Sequence, residues 1–451
     1  MIERLSELLS EKKFGVIREF LIDQNPADIA EAFIQLPEHN LLVLFRILPK
    51  DMASDVFVEM TSDAQEFLIK SFSDKELYEV FDDLYLDDTV DIIEEMPANI
   101  VKRILRNTDS QTRDAINTLL MYPKDTAGSI MTIEYVCLKR RLTVDMAFEQ
   151  IKRTAIDKET IYTSYVVDEG RRLIGLVDAK DLMIANRDDV IENIMHTNVI
   201  SVNTLDNKED VAKMFEKYDL IALPVVDKEG RLVGIVTVDD AMDVISEAVE
   251  EDFSIMAGVT PQEKTYLQSG VYSIFKSRIP WLMLLMLSAT FTGMIISSFE
   301  ASLSMYTVLT SFIPMLMGTA GNSSSQSSVT VIRGLSMGEI NFTDTLKVIW
   351  KELRVSITCG AALSVVNFFK IYYFDRLVLS NPDITVTVAL VVSITIFVTV
   401  IFAKIVGCTL PIIAKRIGLD PAVMASPFIT TIVDALSLIV FFRIVVIFMP
   451  I

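Results

Sequence analysis

A single carboxylate interrupts the last apolar stretch of the sequence. Asp434 lies within residues 427–442, among isoleucine, valine, leucine and phenylalanine. A carboxylate near the middle of a membrane helix costs about 2.5–3.5 kcal/mol on insertion scales, so such a residue usually serves a function. Thr430 precedes it by four residues and Thr431 by three, which places both hydroxyls on or beside the same helical face. With Ser426 further back, this polar stripe predicts a metal-binding path for a cation.

A second polar segment, residues 314–328, is rich in glycine, serine and threonine and includes Asn322. Small residues at this density let helices approach closely, and their oxygens and amides can line a path for ions. We therefore expect Asn322 to line the same pore as Asp434. Two alternatives stay open at this point. The segment could serve helix packing with a loop after it, and Asp434 could form a structural ion pair with a buried Arg or Lys, for which Lys404 is a candidate.

Acidic residues also recur at helical spacing after residue 238. Like charges three or four residues apart on a helix repel, and a divalent cation shared with another domain would relieve that repulsion. The predicted regulatory metal ligands of this segment are Asp240, Asp243, Glu247, Glu250, Glu251 and Asp252. The N-terminal region offers Asp82, Asp83, Asp87, Asp88, Asp91, Glu94 and Glu95, of which we assign Asp88, Asp91 and Glu95 as ligands. The alternative is an ordinary solvated acidic face.

The charge is divided very unevenly along the 451 residues. Residues 1–262 contain 52 Asp and Glu against 28 Lys and Arg, a net charge of −24, whereas residues 263–451 contain 9 against 13, a net charge of +4. An acidic soluble half thus precedes an apolar half, which argues against nucleic acid as a partner and favours metal cations. The first residues lack the apolar core of a signal peptide, so we expect the acidic half in the cytoplasm.

The apolar half contains five stretches of about 20 residues or more, the length that crosses a bilayer. They are residues 281–299, 302–322, 355–374, 384–412 and 421–449. Basic residues cluster before the first stretch, between the second and third, and between the fourth and fifth. The positive-inside rule then predicts a multi-pass protein of the cell (inner) membrane, with cytoplasmic N-terminal domains and the C-terminus outside.

The acidic half divides into two predicted folds. Residues 1–125 are predicted to form a helical superhelix, because Leu-Pro and Met-Pro steps interrupt amphipathic segments at intervals. Residues 126–245 contain an internal duplication, in which residues 165–181 match residues 224–240. Each copy predicts a strand, a glycine turn, a strand and a helix start. This duplication resembles a tandem pair of CBS modules, a regulatory α/β unit.

The resemblance to CBS pairs, which often bind adenine nucleotides, implies ATP as a regulatory ligand. It points to Thr237 and Asp240 of the second module as ribose and phosphate-side contacts. The first module has Asp178 where the second has Thr237, which disfavours a nucleotide there. The alternative is that neither module binds a ligand.

The order of these parts, with the motifs at residues 314–322, 420–421 and 427–434, resembles the MgtE family of magnesium transporters over nearly the whole chain. The resemblance implies a homodimer in the lipid bilayer, with a pore between the subunits and the ion selected by Asp434. It also implies that cytosolic Mg²⁺ binds between the acidic domains and closes the pore.

The chain departs from the family pattern near the proposed selective site. Members often have glycine and tyrosine where this chain has Ser437 and Phe441, and some have asparagine where it has Ser426. The packing of helices below Asp434 can therefore differ from that in other members, and so can the ion selectivity or the conductance.

We thus expect a multidomain chain of four parts. They are an all-α acidic domain at 1–125, an α/β tandem CBS pair at 126–245, an α-helical connector at 246–278 and a five-helix transmembrane pore domain at 279–451. The expected function is gradient-driven Mg²⁺ transport, since no phosphate-binding loop is present to couple ATP hydrolysis.

Other classes fit the sequence less well. The chain is not expected to be an enzyme, because an intramembrane aspartyl protease needs two facing aspartates. An anion path should carry fixed positive groups, and Asp434 argues against it. The alternative that stays open is a CBS-regulated transporter of Mn²⁺, Co²⁺ or Ni²⁺, since these ions can use the same oxygen ligands.

Overall fold

The computed structural model describes residues 1–155, 158–262, 266, 269–378, 382–424 and 426–449. The chain forms two compact units, Met1–Ser246 and Glu247–Ile451.

The first unit begins with ten short helices. They are α1 (Ile2–Ser10), α2 (Phe14–Ile22), α3 (Pro26–Ile34), α4 (Glu38–Phe45), α5 (Lys50–Val58), α6 (Ser62–Ser71), α7 (Asp74–Phe81), α8 (Leu86–Glu95), α9 (Ala98–Asn107) and α10 (Ser110–Leu119). Proline explains several starts, since Pro37, Pro49 and Pro97 each occupy the N-cap of the helix that follows, where the missing N–H is no loss. Ser73 starts α7 with a reciprocal capping box to Glu76. Each helix buries one apolar face in a shared core.

Two three-stranded sheets follow. The elements are β1 (Val136–Lys139), α11 (Val144–Thr154), β2 (Thr163–Val167), β3 (Leu173–Asp178), α12 (Ala179–Ile184), α13 (Ile191–Ile194), β4 (Val202–Asn203), α14 (Lys208–Tyr218), β5 (Ala222–Val226), β6 (Leu232–Thr237) and α15 (Val238–Met256). In each sheet the central strand pairs parallel with the strand before it and antiparallel with the strand after it. Both antiparallel pairs shift register near the end of the central strand, so the duplication extends to backbone irregularities.

Two glycines show how the duplicated halves pack. A Cβ atom at Gly234 would lie 2.6 Å from Met131 Sδ, and one at Gly175 would lie 2.8 Å from Met195 Sδ. Each repeated Ile-Met step of the sequence therefore presses its methionine onto a strand glycine. A side chain at either glycine would displace that methionine, because protein interiors leave no spare volume for it.

The second unit is helical. Its elements are α16 (Val271–Ser298), α17 (Glu300–Met305), a 3-10 segment (Thr307–Phe312), α18 (Ile313–Ser336), a 3-10 turn (Phe342–Asp344), α19 (Thr345–Phe369) continued by a π-helix (Lys370–Val378), α20 (Val386–Arg416), a 3-10 turn (Pro421–Met424) and α21 (Ser426–Phe448). Among the described residues, four helical segments are long and apolar enough to cross a membrane: Val271–Ser298, Phe342–Arg376, Val386–Arg416 and Pro421–Phe448.

The predicted second span at 302–322 has the wrong bounds. That stretch is broken, and the helix α18 begins at Ile313 and continues through the glycine- and serine-rich segment to Ser336. Packing explains the difference, since Ala320, Ser324 and Ser328 are buried and small residues allow close helix contact. At about 1.5 Å per residue, α18 is long enough to cross a bilayer, but it is too polar to count among the four apolar segments. Five transmembrane helices therefore stay a prediction.

The predicted connecting helix at 246–278 is also divided. Helix α15 ends at Met256, and α16 begins only at Val271. Gly258, two residues after the end of α15, has a φ of 69°, a left-handed conformation that suits glycine and ends a helix.

Candidate functional site

Asp434 on α21 lies beside Gly321 on α18, so the two segments that the sequence predicts to line the pore are in contact. A Cβ atom at Gly321 on α18 would lie 3.2 Å from Thr430 Cγ2 and 3.9 Å from Asp434 Oδ1 on α21. The half-buried Asp434 carboxylate thus stands beside the glycine backbone of α18. Among the described residues it has no hydrogen-bond donor and no cationic partner. An unpartnered carboxylate at a helix contact is a suitable place for a cation or its hydration water.

The neighbouring hydroxyls have a defined orientation. Thr430 Oγ1 and Thr431 Oγ1 donate to the Pro427 carbonyl oxygen, at 3.0 and 3.1 Å. Because the hydroxyl protons are used within the helix, the free lone pairs of these oxygens are left to accept, as a hydrated cation requires. The side chain of Ser426, also predicted to line the pore, lies outside the described residues.

Two of the three positions that depart from the family pattern, Ser437 and Phe441, are buried. Ser437 Oγ donates to the Asp434 carbonyl oxygen at 2.7 Å, and Phe441 is fully buried. Ser437 thus contacts the backbone carbonyl of Asp434.

Lys404 does not pair with Asp434. Its Nζ donates to Ser327 Oγ at 3.3 Å and lies 4.0 Å from Glu352 Oε2. The alternative of an Asp434–Lys404 ion pair is therefore wrong. Glu352 was missed as a membrane-half carboxylate, because its neighbours Lys351 and Arg354 suggested a loop, whereas α19 begins at Thr345.

Asn322 lies on the exposed face of α18. Exposed residues recur every four positions along that helix, at Pro314, Gly318, Asn322 and Gln326. The opposite face is buried. Amide side chains on the open face of a helix in an apolar unit are unsuited to contact with lipid, so this face favours a water-filled path or a second protein surface.

A cluster of three carboxylates lies in the first unit. One oxygen from each of Asp87, Glu134 and Glu159 lies within 4.8 Å of the other two. Asp87 is 9 % exposed, and Glu159 Oε2 is buried without a hydrogen-bond partner among the described residues. Glu134 Oε2 accepts from the Leu86 N–H at 3.0 Å. Three carboxylate ligands within this distance fit a hard divalent cation.

The pKa values of this cluster follow from burial and like charge. Burial raises the pKa of Asp87 to about 7, with a further contribution from Asp88. Burial and then Asp87 raise the pKa of Glu159 to about 8. The pKa values of Asp88 and Asp240 are each raised to about 7, first by burial and next by Asp240 and Asp87 respectively. The carboxylates thus lack enough positive charge nearby, which a bound cation would supply.

The predicted regulatory residues are only partly brought together. Asp88, Asp91 and Asp240 act on one another electrostatically. Glu95 lies elsewhere on α8, where its carboxylate accepts from the Ser62 hydroxyl. Asp243 is exposed on α15 in the first unit.

The remaining predicted ligands belong to the second unit. Glu247, Glu250 and Glu251 are exposed there, and Asp252 accepts from Ser336 Oγ at 3.4 Å. All of them lie on α15, as the helical spacing predicted. Their roles as metal ligands stay predictions.

The expected nucleotide contacts bond to each other. Thr237 Oγ1 donates to Asp240 Oδ2 at 2.6 Å, and Thr237 is buried. By the duplication, Asp181 in the first module corresponds to Asp240, and it lies 2.9 Å from His196 Nε2. Asp178 accepts from Thr163 Oγ1 at 3.0 Å. The two modules therefore present different polar surroundings at equivalent positions.

Comparison with known proteins finds matches to three parts of the chain. Residues 24–125 match the MgtE intracellular N domain, residues 127–188 and 191–247 match CBS domains, and residues 313–444 match the MgtE divalent cation transporter family. The cytosolic domain of the Mg²⁺ channel MgtE, solved in complex with ATP, is 36 % identical, with a TM-score of 0.52. It covers 54 % of this chain and 100 % of its own.

Full-length relatives extend the similarity over both units. The magnesium transporter MgtE of Thermus thermophilus is 33 % identical over 441 residues, 97 % of this chain and 96 % of that protein. The magnesium transporter MgtE of Bacillus subtilis is 32 % identical over 445 residues, 98 % and 96 % of the two chains. These relatives are named as transporters and not as enzymes, which confirms the predicted class. This chain belongs to the MgtE family of divalent cation transporters.

Proposed function

We propose that this protein is a gradient-driven Mg²⁺ transporter or channel of the cell membrane, in which Asp434 selects the ion in a pore between two copies of the chain. One observation carries the proposal: the Asp434 carboxylate has no partner among the described residues, although it stands in an apolar helix beside Gly321 and Thr430. A charge that costs free energy to insert, and that no described residue neutralises, is best explained by a transported cation.

The open face of α18 supports a homodimer. Asn322 and Gln326 are exposed in the single chain, and lipid would leave their amides without hydrogen-bond partners. A second copy across this face would bring two Asp434 carboxylates toward one axis. Two opposed carboxylates attract a divalent ion more strongly than a monovalent one.

The coordination chemistry favours an ion that keeps its water. Mg²⁺ demands octahedral oxygen geometry and loses its hydration shell reluctantly. The carboxylate of Asp434 and the acceptor lone pairs of Thr430 and Thr431 can bind such an ion through its waters. A negative cytoplasmic potential of 100 mV then favours entry of a divalent ion by about 4.6 kcal/mol, without ATP hydrolysis.

Gating is assigned to the acidic cluster of the first unit. Asp87, Glu134 and Glu159 would bind cytosolic Mg²⁺ directly, with Asp88 and Asp240 adding to the negative field. Mg²⁺ at this cluster would relieve the repulsion and stabilise one arrangement of the helical domain and the CBS pair, which closes the pore. The family resemblance implies that cytosolic Mg²⁺ closes the pore, and we assign these three carboxylates as the ligands of that Mg²⁺.

ATP is a second regulatory ligand that the solved relative supports, since that cytosolic domain was crystallised with ATP. We assign it to the CBS pair. The sequence disfavours a nucleotide in the first module because of Asp178, but that carboxylate accepts a hydrogen bond from Thr163 Oγ1 at 3.0 Å, and we therefore favour the first module over Thr237 and Asp240. Asp240 lies in the negative field of Asp87, which disfavours a triphosphate. Loss of ATP binding in Asp181→Ala, with binding retained in Thr237→Ala, would support this choice. The reverse result would contradict it.

The pore assignment is tested by Mg²⁺ uptake into proteoliposomes. Asp434→Ala and Asp434→Asn should lower uptake at least about tenfold, because the divalent site loses its charge. Asp375→Asn is the matched control, since Asp375 is an aspartate of the same unit that already pairs with Lys370 at 2.7 Å. Normal flux through Asp434→Ala would contradict the proposal. Competition by Mn²⁺, Co²⁺ and Ni²⁺ in the same assay separates Mg²⁺ transport from the transport of another divalent ion.

A further inference from the structure

A second ionic cluster joins three helices of the apolar unit. Ser327 on α18 donates its hydroxyl to Glu352 Oε2 on α19 at 2.6 Å. Lys404 on α20 donates to the same Ser327 Oγ at 3.3 Å and lies 4.0 Å from Glu352 Oε2. The Lys404 side chain is 6 % exposed and that of Glu352 15 %. Each charge is therefore neutralised inside the protein and not by solvent.

The cluster sits at a very close contact between α18 and α20. Gly407 lies three residues after Lys404, and a Cβ atom there would overlap the carbonyl oxygen of Ser324, three residues before Ser327. The two helices thus meet at two successive levels. One level is a backbone contact and the other is the Ser327–Lys404 hydrogen bond. Close backbone contact fixes the distance between the helices, and the directional polar contacts fix the rotation.

Rotation of α18 matters because its two faces differ. Ser324, Ser327 and Ser328 are buried, whereas Gly318, Asn322 and Gln326 are exposed. Gly321 contacts Thr430 beside Asp434. A turn of α18 by one residue would move Asn322 by about 100° and bring a side chain against Thr430. The geometry around Asp434 therefore depends on what holds the buried face of α18.

A buried ion pair is a poor way to gain stability, because desolvation offsets much of the attraction. Apolar residues would fill the same space. Directional charged groups are better suited to specify one arrangement among several close alternatives. The glutamate, the lysine and the bridging hydroxyl at this position therefore indicate a role in specifying how the helices pack.

We propose that Glu352 and Lys404 are positioning residues of the ion pathway. Acting through Ser327, they hold the rotation of α18 that keeps Asn322 on the exposed face and Gly321 beside Asp434, and thereby set the discrimination between Mg²⁺ and larger divalent ions. The inference rests on the proposed function of Asp434 as the selective site.

The test is the ratio of Mg²⁺ to Ca²⁺ flux in proteoliposomes with full-length protein, because a ratio does not depend on how much protein is folded. Glu352→Gln, Lys404→Gln and Ser327→Ala should each lower this ratio at least about threefold and raise the apparent KM for Mg²⁺. Ser327→Ala keeps both charges and removes only the bridging hydroxyl, so it stays informative where a charge variant fails to fold.

Reciprocal exchange provides the rescue. Glu352→Lys combined with Lys404→Glu should recover part of the parental ratio. Lys370→Gln is the control, since it breaks an ion pair of 2.7 Å with Asp375 in the same unit, outside the Glu352–Ser327–Lys404 contacts, and should leave the ratio unchanged.

The inference is overturned if the three single variants keep the parental ratio and KM while only melting temperature or yield falls, or if Lys370→Gln shifts the ratio equally. This result is distinct from failure of the pore assignment, in which Asp434→Ala itself would conduct Mg²⁺ normally.

Discussion

Gly321 on α18 faces Thr430 on α21 so closely that a Cβ atom at Gly321 would lie 3.2 Å from Thr430 Cγ2. This distance is tighter than ordinary van der Waals contact, and Asp434 Oδ1 lies 3.9 Å from the same point. The glycine therefore determines how near the backbone of one helix comes to the carboxylate of the other.

Gly321→Ala should lower Mg²⁺ flux severalfold, because the added methyl group pushes α18 away from Thr430. Proteoliposome uptake measures the effect. Gly293→Ala on α16 is the control, since nothing lies within 4 Å of a Cβ at Gly293 and it is outside the exposed face of α18. Thr430→Ser removes the opposing methyl and keeps the hydroxyl, so the double variant Gly321→Ala/Thr430→Ser should recover flux. Equal loss in Gly293→Ala, or no recovery in the double variant, would contradict the steric account.

The hydroxyl of Thr430 is tested separately from its shape. Thr430→Val keeps the branched side chain but removes the oxygen that accepts from a hydrated ion, so the KM for Mg²⁺ should rise while the melting temperature changes little. Thr430→Ser keeps the oxygen and should keep the KM near that of the parent. An unchanged KM in Thr430→Val would remove Thr430 from the ion path.

The sequence predicted the parts of the site that depend on local spacing. Asp434, Thr430 and Thr431 share one turn of α21, so helical periodicity alone placed them together. Asp240 and Asp243 lie on one helix for the same reason. The family and the CBS pair were predicted correctly, because their motifs are short and contiguous.

Tertiary packing determined what the sequence could not show. Glu134 follows Met131 in a loop and Glu159 precedes β2, so no spacing links either residue to Asp87 on α8. Glu352 could be recognised as a buried carboxylate of the apolar half only from the structure, which places Ser327 and Lys404 beside it. The helix α18 continues through serine and glycine because its buried face packs on α20, which overrides the weak helix propensity of those residues.

Stability of the metal-free protein should depend on pH through the Asp87 cluster. The pKa of Asp87 rises from 3.8 to about 7 on folding, and that of Glu159 from 4.5 to about 8. The folded state thus binds more protons than the unfolded state between these values, so the free energy of unfolding falls as pH rises from about 4 to about 8. Below about pH 4 both groups are protonated in the folded and the unfolded state, so the destabilisation by their ionisation is absent.

The measurement is the melting temperature of full-length protein in EDTA at about pH 5.5 and about pH 8, with the lower value expected at the higher pH. Mg²⁺ should restore the loss, and more strongly at the higher pH, since it binds ionised carboxylates. The double variant Asp87→Asn/Glu159→Gln should make the pH dependence less steep, and Asp88 and Asp240 account for what is left. A parental slope in that variant would assign the effect to other groups.

The same cluster should control closure of the pore. In the parent, cytosolic Mg²⁺ should protect the segment 239–252 from protease and lower flux. Glu159→Gln should weaken both effects, because Glu159 Oε2 is buried without a partner beside Asp87 and Glu134. Glu149→Gln is the control, since Glu149 is an exposed glutamate of the same unit that pairs with Lys152 at 3.0 Å and is not one of the three carboxylates. Full protection in Glu159→Gln, or equal loss in Glu149→Gln, would separate gating from this cluster.

Gly407 offers a test of how tightly α20 and α18 must pack. Replacing an exposed helix glycine by alanine stabilises a helix by about 1 kcal/mol, whereas overfilling a packed contact costs about 1–3 kcal/mol. At Gly407 the second effect should win, because the obstacle is the Ser324 carbonyl oxygen, a backbone atom that cannot rotate away. Gly407→Ala should therefore lower the melting temperature of the detergent-solubilised protein. Gly293→Ala on α16, with nothing within 4 Å of its Cβ, should leave the melting temperature unchanged or raise it.

Gly407 lies three residues after Lys404, so Gly407→Ala should also lower the Mg²⁺ to Ca²⁺ flux ratio. A lowered melting temperature with a parental flux ratio would show that close packing and ion selection are separate at this contact.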